Sequence, residues 1–164
     1  MKNTKKLVLT AILIAIAVFG STFSFPVFAS KCSPVQHLVN VLSAIILGPY
    51  YSVLAAFITS VLRNIFGLGT LLAFPGSMCG AYLAGILYKK FKNTLSALFG
   101  EAFGTSVIGG LLAYPVAYFL IGNKQAAIFG YIVPFLISTL GGCIIASVIL
   151  VALKKTKVLN DFLK

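Results

Sequence analysis

Six apolar runs follow one another along this chain with only a few turn-forming residues between them: residues 7–28, 35–47, 50–66, 71–88, 95–121 and 126–153. A soluble domain cannot hide that much apolar surface. Only 9% of the 164 residues are charged and 60% are hydrophobic, and the mean hydropathy is +1.07, so lipid rather than water is the expected solvent. A hydrocarbon core of about 30 Å needs roughly 20 apolar residues at 1.5 Å each. The length therefore predicts an all-α integral membrane protein, one domain over residues 1–164, built as a bundle of six transmembrane helices with short loops.

The second run is the weak member, at 13 residues well below the usual spanning length. Gly48 and Pro49 separate it from the third run, and proline suits a first helical position because its missing N–H would be unpaired there anyway. The pair reads as a tight helical hairpin, with a partly re-entrant second run left open.

Charge sets the orientation. The formal net charge is +11, but the 13 basic residues cluster beside apolar runs, which points to the membrane surface and not to nucleic acid. With the N-terminus inside, Lys2, Lys5, Lys6, Lys89, Lys90, Lys92, Lys154, Lys155, Lys157 and Lys164 all fall on the cytoplasmic side, and only Lys31, Arg63 and Lys124 outside. An even number of spans with both termini cytoplasmic accounts for this ten-to-three bias. The first run also has the look of a secretory signal, with Val27-Phe28-Ala29 before Ser30 as a cleavage site. Its apolar stretch exceeds the 7–15 residues of a signal core, and removing it breaks the charge pattern, so it is read as a retained helix.

Polar residues inside apolar runs need a reason, since a central charge costs about 2.5–3.5 kcal/mol on insertion scales. Gln36, His37 and Asn40 begin the second run, with spacings that put Asn40 on the face of the other two. Arg63 and Asn64 end the third run, and Phe74 and Ser77 begin the fourth, so all are expected at the same outer level. Tyr114 is placed in the outer third of the fifth helix. Amides, an imidazole, a hydroxyl and aromatic faces suit a flat, weakly polar ring. Capping and interhelical bonding explain any one of the polar groups equally well, and for Arg63 so does snorkelling to the interface. Glu101, the one acid within a run, lies about 9 Å from the inner end of a straight helix. Pairing with Lys89, Lys90 or Lys92 is as good an account of it as a place in the pocket.

Small residues recur at four-residue spacing in Ala11 and Ala15, Gly76 and Gly80, Ala81 and Gly85, and Gly100 and Gly104. Close backbone approach at such pairs supplies much helix packing in lipid. Cys32, Cys79 and Cys143 form no metal or redox motif, no metal or cofactor site is visible, and neither a catalytic set nor a GxxxxGK[ST] nucleotide loop is present. The chain is not expected to be an enzyme, and any energy must come from another subunit or from an ion gradient.

The stretch Pro34-Val35-Gln36-His37-Leu38-Val39-Asn40-Val41-Leu42, the segment Leu47-Gly48-Pro49-Tyr50, the string from Arg63-Asn64-Ile65-Phe66-Gly67-Leu68-Gly69 through Phe74-Pro75-Gly76-Ser77-Met78, and later Gly100-Glu101 with Leu112-Ala113-Tyr114-Pro115 resemble the ThiW family. That family comprises S-components of energy-coupling-factor (ECF) vitamin transporters. The resemblance implies a six-helix S-component in the bacterial plasma membrane that binds hydroxyethylthiazole, the thiazole precursor of thiamine. It also implies docking on a transmembrane coupling protein with two cytoplasmic ATPases, which hydrolyse the ATP. Ala11-Ile12-Leu13-Ile14-Ala15 matches the Ala-x-x-x-Ala motif with which members of this class pack on the coupling protein. Toppling of the whole subunit in the membrane is the implied transport motion. A stand-alone secondary carrier of small solutes is the alternative reading of the residues, and a ligand-free assembly subunit a third.

Overall fold

A computed structural model describes residues 3–27 and 30–156. Lys2, Phe28, Ala29, Lys157, Asp161 and Lys164 therefore lie outside the described residues. The described residues form six helical rods and one small hairpin. Helix α1 (Asn3–Gly20) ends in a 3₁₀ turn, Ser21–Phe23, and strands β1 (Phe25–Val27) and β2 (Ser30–Cys32) pair antiparallel. Then come α2 (Pro34–Leu47), α3 (Pro49–Ile65), α4 (Ala73–Phe91), α5 (Thr94–Leu120) and α6 (Ile132–Lys155). Three of these, α1 with its 3₁₀ turn, α5 and α6, are long and apolar enough to cross a membrane.

The short helix α2 is the centre of the bundle. Ten of its 14 residues are buried, and it packs against α1, α3, α4, α5 and α6. Spanning length is a demand that lipid makes on helices it touches; α2 is solvated by other helices, and so does not have to meet it. Leu38, Val41, Ala44 and Ile45 pack with Ala84, Ala97, Cys143, Ala146 and Leu150. On the other flank Val39 and Leu47 meet Leu13 and Ala17 of α1. Gly48, at φ 87°, then turns the chain directly into Pro49 at the start of α3. Only glycine adopts that conformation without strain.

Small residues set the spacing between α4 and α5. A Cβ on Gly104 would sit 2.7 Å from the Cys79 carbonyl oxygen, and one on Gly100 would sit 2.7 Å from the Ala84 nitrogen. The backbones touch where side chains would otherwise hold them apart. Helix α5 is not uniform. Gly104–Gly109 and Val116–Leu120 run as π-helical turns, the second directly after Pro115. Proline has no N–H to donate, and a wider turn is one way for a helix to absorb that loss.

The polarity of the bundle is inverted relative to a soluble protein. Exposed positions include Val8, Ile12 and Phe19 on α1 and Ile144, Val148 and Val151 on α6, whereas Gln36, Asn40, Thr59, Ser60, Arg63 and Glu101 are buried. The ends differ in charge. The start of α1, the ends of α4 and α6 and the start of α5 lie at one end, where Lys6 stacks over Tyr51 and the Lys154 ammonium donates to Thr94 Oγ1 at 2.7 Å. That end carries Lys5, Lys6, Lys89, Lys90, Lys92, Lys154 and Lys155. At the other end lie the hairpin and the loops after α3 and α5, with Lys31, Arg63 and Lys124.

Three features depart from the pattern of apolar runs. The stretch 7–28 breaks before its end into the 3₁₀ turn and the first strand. The run 126–153 becomes helical only at Ile132, with residues 121–131 forming turns that pack Tyr131 under Leu72, Ala113 and Ala117. The run 71–88 continues to Phe91, where Lys92 at φ 54° ends it.

Candidate functional site

A narrow pocket with about 30 Å³ of enclosed space lies at the lysine-poor end of the bundle. Its wall is assembled from the hairpin and five helices. Ser30 and Lys31 come from β2, Gln36 and His37 from α2, Arg63 from α3, Gly76 and Ser77 from α4, Thr105 from α5, and Phe135 and Ser138 from α6.

The first turn of α2 supplies the core of the site. Proline starts the helix, so Gln36 and His37 project from it within one turn of the mouth, and Asn40 lies one turn deeper. Two glycines allow the neighbours to close in. A Cβ on Gly142 would lie 2.6 Å from that of His37, so it is the absence of a side chain there that lets α6 close onto α2 at the level of the site. A Cβ on Gly80 would lie 2.8 Å from Glu101 Oε2 and collide with the Thr105 hydroxyl.

Two hydrogen-bonded groups result. In the lower one, a single carboxylate oxygen, Glu101 Oε1, accepts from Asn40 Nδ2 at 2.9 Å and Thr105 Oγ1 at 3.2 Å, and His37 Nδ1 lies 2.8 Å from it. An ionised carboxylate only accepts, so it selects the form of His37 that carries a proton on Nδ1. Asn40 Nδ2 also donates to the Ser77 carbonyl at 3.2 Å. Glu101 Oε2 is buried with no partner among the described residues. In the upper group, Arg63 Nη1 donates to Gln36 Oε1 and Nη2 to the Leu68 carbonyl at 3.3 Å. Gln36 Nε2 donates to Ser60 Oγ at 3.1 Å, and Ser60 Oγ lies 3.1 Å from Ser77 Oγ. The two groups share Ser77, so helices α2 to α5 are tied together around one cavity.

The residues singled out from sequence are distributed as follows. Gln36, His37, Arg63 and Ser77 line the pocket, and Asn40 and Glu101 form the layer beneath it. Asn64, Phe74 and Tyr114 are not on its wall. Asn64 holds the loop after α3, donating to the Ser60 carbonyl at 2.8 Å and the Thr70 carbonyl at 3.2 Å. Phe74 stacks edge-on against Phe57, with ring centroids 5.7 Å apart, because Ala73, Gly76 and Ser77 take the pocket face of α4 and leave Phe74 beside it. Tyr114 pairs with Tyr118, since Gly109, Ala113 and Ala117 are the buried positions of α5 there.

Two alternatives that the sequence leaves open are decided by the geometry. Glu101 does not pair with Lys89, Lys90 or Lys92; its Oε1 lies 2.8 Å from His37 Nδ1. A level about 10 Å above the inner end of α5 is close to the midpoint of a 14-residue α2, which brings Asn40 and His37 within reach. Arg63 does not snorkel to the interface; it is 2% exposed and bridges α3 to α2. Sequence reasoning missed Ser30, Lys31, Ser33, Thr70, Thr105, Phe135 and Ser138. Only Thr105 left a trace, as the residue one turn after Glu101.

The pattern of the thiamine-precursor transporter protein family (ThiW) matches residues 7–156. The chain belongs to that family. Among solved structures, this ThiW protein is similar to the S component of a bacterial ECF transporter, with a TM-score of 0.71, 20% identity and 99% of each chain covered. At that identity the likeness is one of fold, and it extends over the whole ThiW chain. No curated protein matches the sequence. This ThiW protein is thus a helical membrane protein of a transporter family with the fold of an ECF S component.

Proposed function

We propose that this protein is the substrate-capture subunit of an ECF-type importer, taking hydroxyethylthiazole or a related thiamine precursor at the outer face of the plasma membrane. In this reading the six rods all cross the membrane with both termini cytoplasmic, which puts the lysine-rich end inside. The observation that carries the proposal is the polar pocket at the opposite end, closed beneath by the His37–Glu101–Asn40 layer. A pocket open on one side and sealed by a bonded floor suits capture rather than free passage.

Power would come from a coupling protein and two cytoplasmic ATPases. Ala11 and Ala15 are exposed on α1, in a strip with Ile12 and Ile16, so their small side chains leave the outer surface of α1 open to close approach by another helix. The other three small-residue pairs are taken up inside the bundle. Gln36, His37, Arg63 and Ser77 would contact the ligand directly, with Asn40 and Glu101 holding them in place and Phe135 offering a ring face.

The test is binding by the purified subunit in detergent or nanodiscs, measured by calorimetry, followed by reconstitution with and without the ATPase module. Saturable binding of a thiamine precursor, with uptake only when the module and ATP are present, is the expected result. Uptake by this chain alone would instead make it a secondary carrier.

A further inference from the structure

Arg63 is a buried cation with no anion beside it among the described residues. Its guanidinium lines the pocket at 2% exposure. Two of its nitrogens meet only neutral dipoles, Gln36 Oε1 and the Leu68 carbonyl, and Nε has no partner among the described residues. The sequence contains two acids, Glu101 and Asp161. Glu101 is engaged by His37, Asn40 and Thr105, and Asp161 lies outside the described residues. A guanidinium keeps its charge, and a buried charge left unpaired is costly. A second cation, Lys31, lines the same pocket from the exposed hairpin. The hydroxyls of Ser30, Ser33, Thr70 and Ser138 stand around the two, and the Ser33 N–H already donates to Ser138 Oγ at 2.8 Å, leaving that hydroxyl's proton to be given elsewhere.

We infer that the ligand carries an anionic group, a phosphate monoester or a carboxylate, that seats between Arg63 and Lys31. This rests on the reading of the pocket as a thiamine-precursor site and narrows it to precursors bearing a negative charge. Planar guanidinium donors match a phosphate or carboxylate edge in a way that they do not match a neutral alcohol. The floor enforces the orientation. Arg63 and Lys31 stand on the mouth side of the His37–Glu101 layer, so the charged substituent of the ligand faces the mouth and its ring faces His37 and Phe135.

The experiment compares the binding of hydroxyethylthiazole, its phosphate monoester, a thiazole carboxylate, and hydroxyethylthiazole mixed with inorganic phosphate. At least one anionic thiazole is expected to bind tenfold or more tightly than the alcohol, and added phosphate is expected not to bring the alcohol to the same affinity. Arg63→Gln should reduce the preference to below about threefold, with Arg63→Lys keeping part of it. Because Arg63 also ties α3 to α2, the exposed Lys31→Gln serves as a second variant that leaves the bundle intact, and it should lower the preference at least threefold. Alcohol binding as tight as that of both anionic forms, or matched affinity when phosphate is supplied separately, would overturn the inference while leaving the capture reading standing. A preference untouched by both substitutions would remove Arg63 and Lys31 from it. Binding of none of the thiazoles would sink both.

Discussion

His37 on α2 and Glu101 on α5 lie 64 positions apart in sequence and meet at 2.8 Å between Nδ1 and Oε1 in the buried floor of the pocket. Because Asn40 and Thr105 converge on the same oxygen, one carboxylate fixes the azimuth of two helices about their axes. Replacing it by alanine strands three buried polar groups. Glu101→Ala should destabilise the protein by about 1–3 kcal/mol and weaken ligand binding, whereas Glu101→Gln, which can still accept, should cost less. Thermal unfolding in detergent checks the order, and equal midpoints for the two variants would contradict it.

The neighbouring glycines of α6 separate packing from helix propensity. A methyl on Gly142 meets the Pro34 carbonyl at 2.5 Å and His37 Cβ at 2.6 Å, while one on Gly141 meets only the Pro34 ring at 3.4 Å. Gly142→Ala should therefore destabilise by about 1–3 kcal/mol through overpacking and should also lower ligand affinity, since it pushes on His37. Gly141→Ala should be neutral or stabilising by up to about 1 kcal/mol. Unfolding and binding measurements on the two variants distinguish these effects, and equal losses would refute the assigned packing.

Phe74 and Tyr114 have the chemistry of pocket residues but sit outside the wall. Phe74→Leu and Tyr114→Phe are expected to change ligand affinity by less than about threefold, against tenfold or more for Gln36→Ala, the loss of a charge-assisted hydrogen bond to Arg63 being worth about 1.5–3 kcal/mol. Calorimetric titration of the three variants is the measurement. A large effect at Tyr114 alone would mean that α5 moves inward when ligand binds.

If Ala11 and Ala15 receive a partner helix, enlarging them should harm assembly and spare capture. Ala11→Phe with Ala15→Phe is expected to leave ligand affinity within about twofold and to abolish co-purification with the ATPase module and uptake in reconstituted vesicles. Parallel loss of binding would show instead that α1 supports the pocket.

Thiol labelling tests which end faces outward. Burial pushes the Cys32 thiol above its ordinary range, with Ser138 partly offsetting this. Its thiolate fraction near pH 7 is accordingly small, and the thiolate is the species that reacts. Native Cys32 should resist a membrane-impermeant maleimide in intact cells, Lys31→Cys next to it should react, and Lys90→Cys should react only after the membrane is opened. Labelling of Lys90→Cys in intact cells would reverse the proposed orientation.

The helices were legible because each depends on its own residues. Gly48-Pro49 marks the hairpin of α2 and α3, and the lysines after α4 and α6 mark one end of the bundle. The pocket was half legible. Gln36, His37, Arg63 and Ser77 announce themselves as polar residues in apolar runs. Ser30, Lys31 and Thr70 do not, because they come from loops, where a polar residue needs no explanation. The hairpin itself has three-residue strands, too short for a period to show. Glu101 stays open in the sequence for a geometric reason: its depth along α5 does not reveal how short α2 is, and so hides that the middle of α2 lies at the level of Glu101. Phe74 and Tyr114 were drawn in by their height along the helix, when rotation about the axis decides which residue reaches a cavity.

Among the described residues, the wall of the pocket takes members from the hairpin and from α2 to α6, and none from α1. On α1 the outward strip containing Ala11 and Ala15 shares no side chain with that wall. In the proposed reading, mutation at Ser30, Lys31, Thr70 or Ser138 can thus drift the protein toward a new client molecule without disturbing the strip. If the pocket captures the ligand and the strip receives the partner, as proposed, selection can act on what is carried and on what carries it as two nearly independent traits.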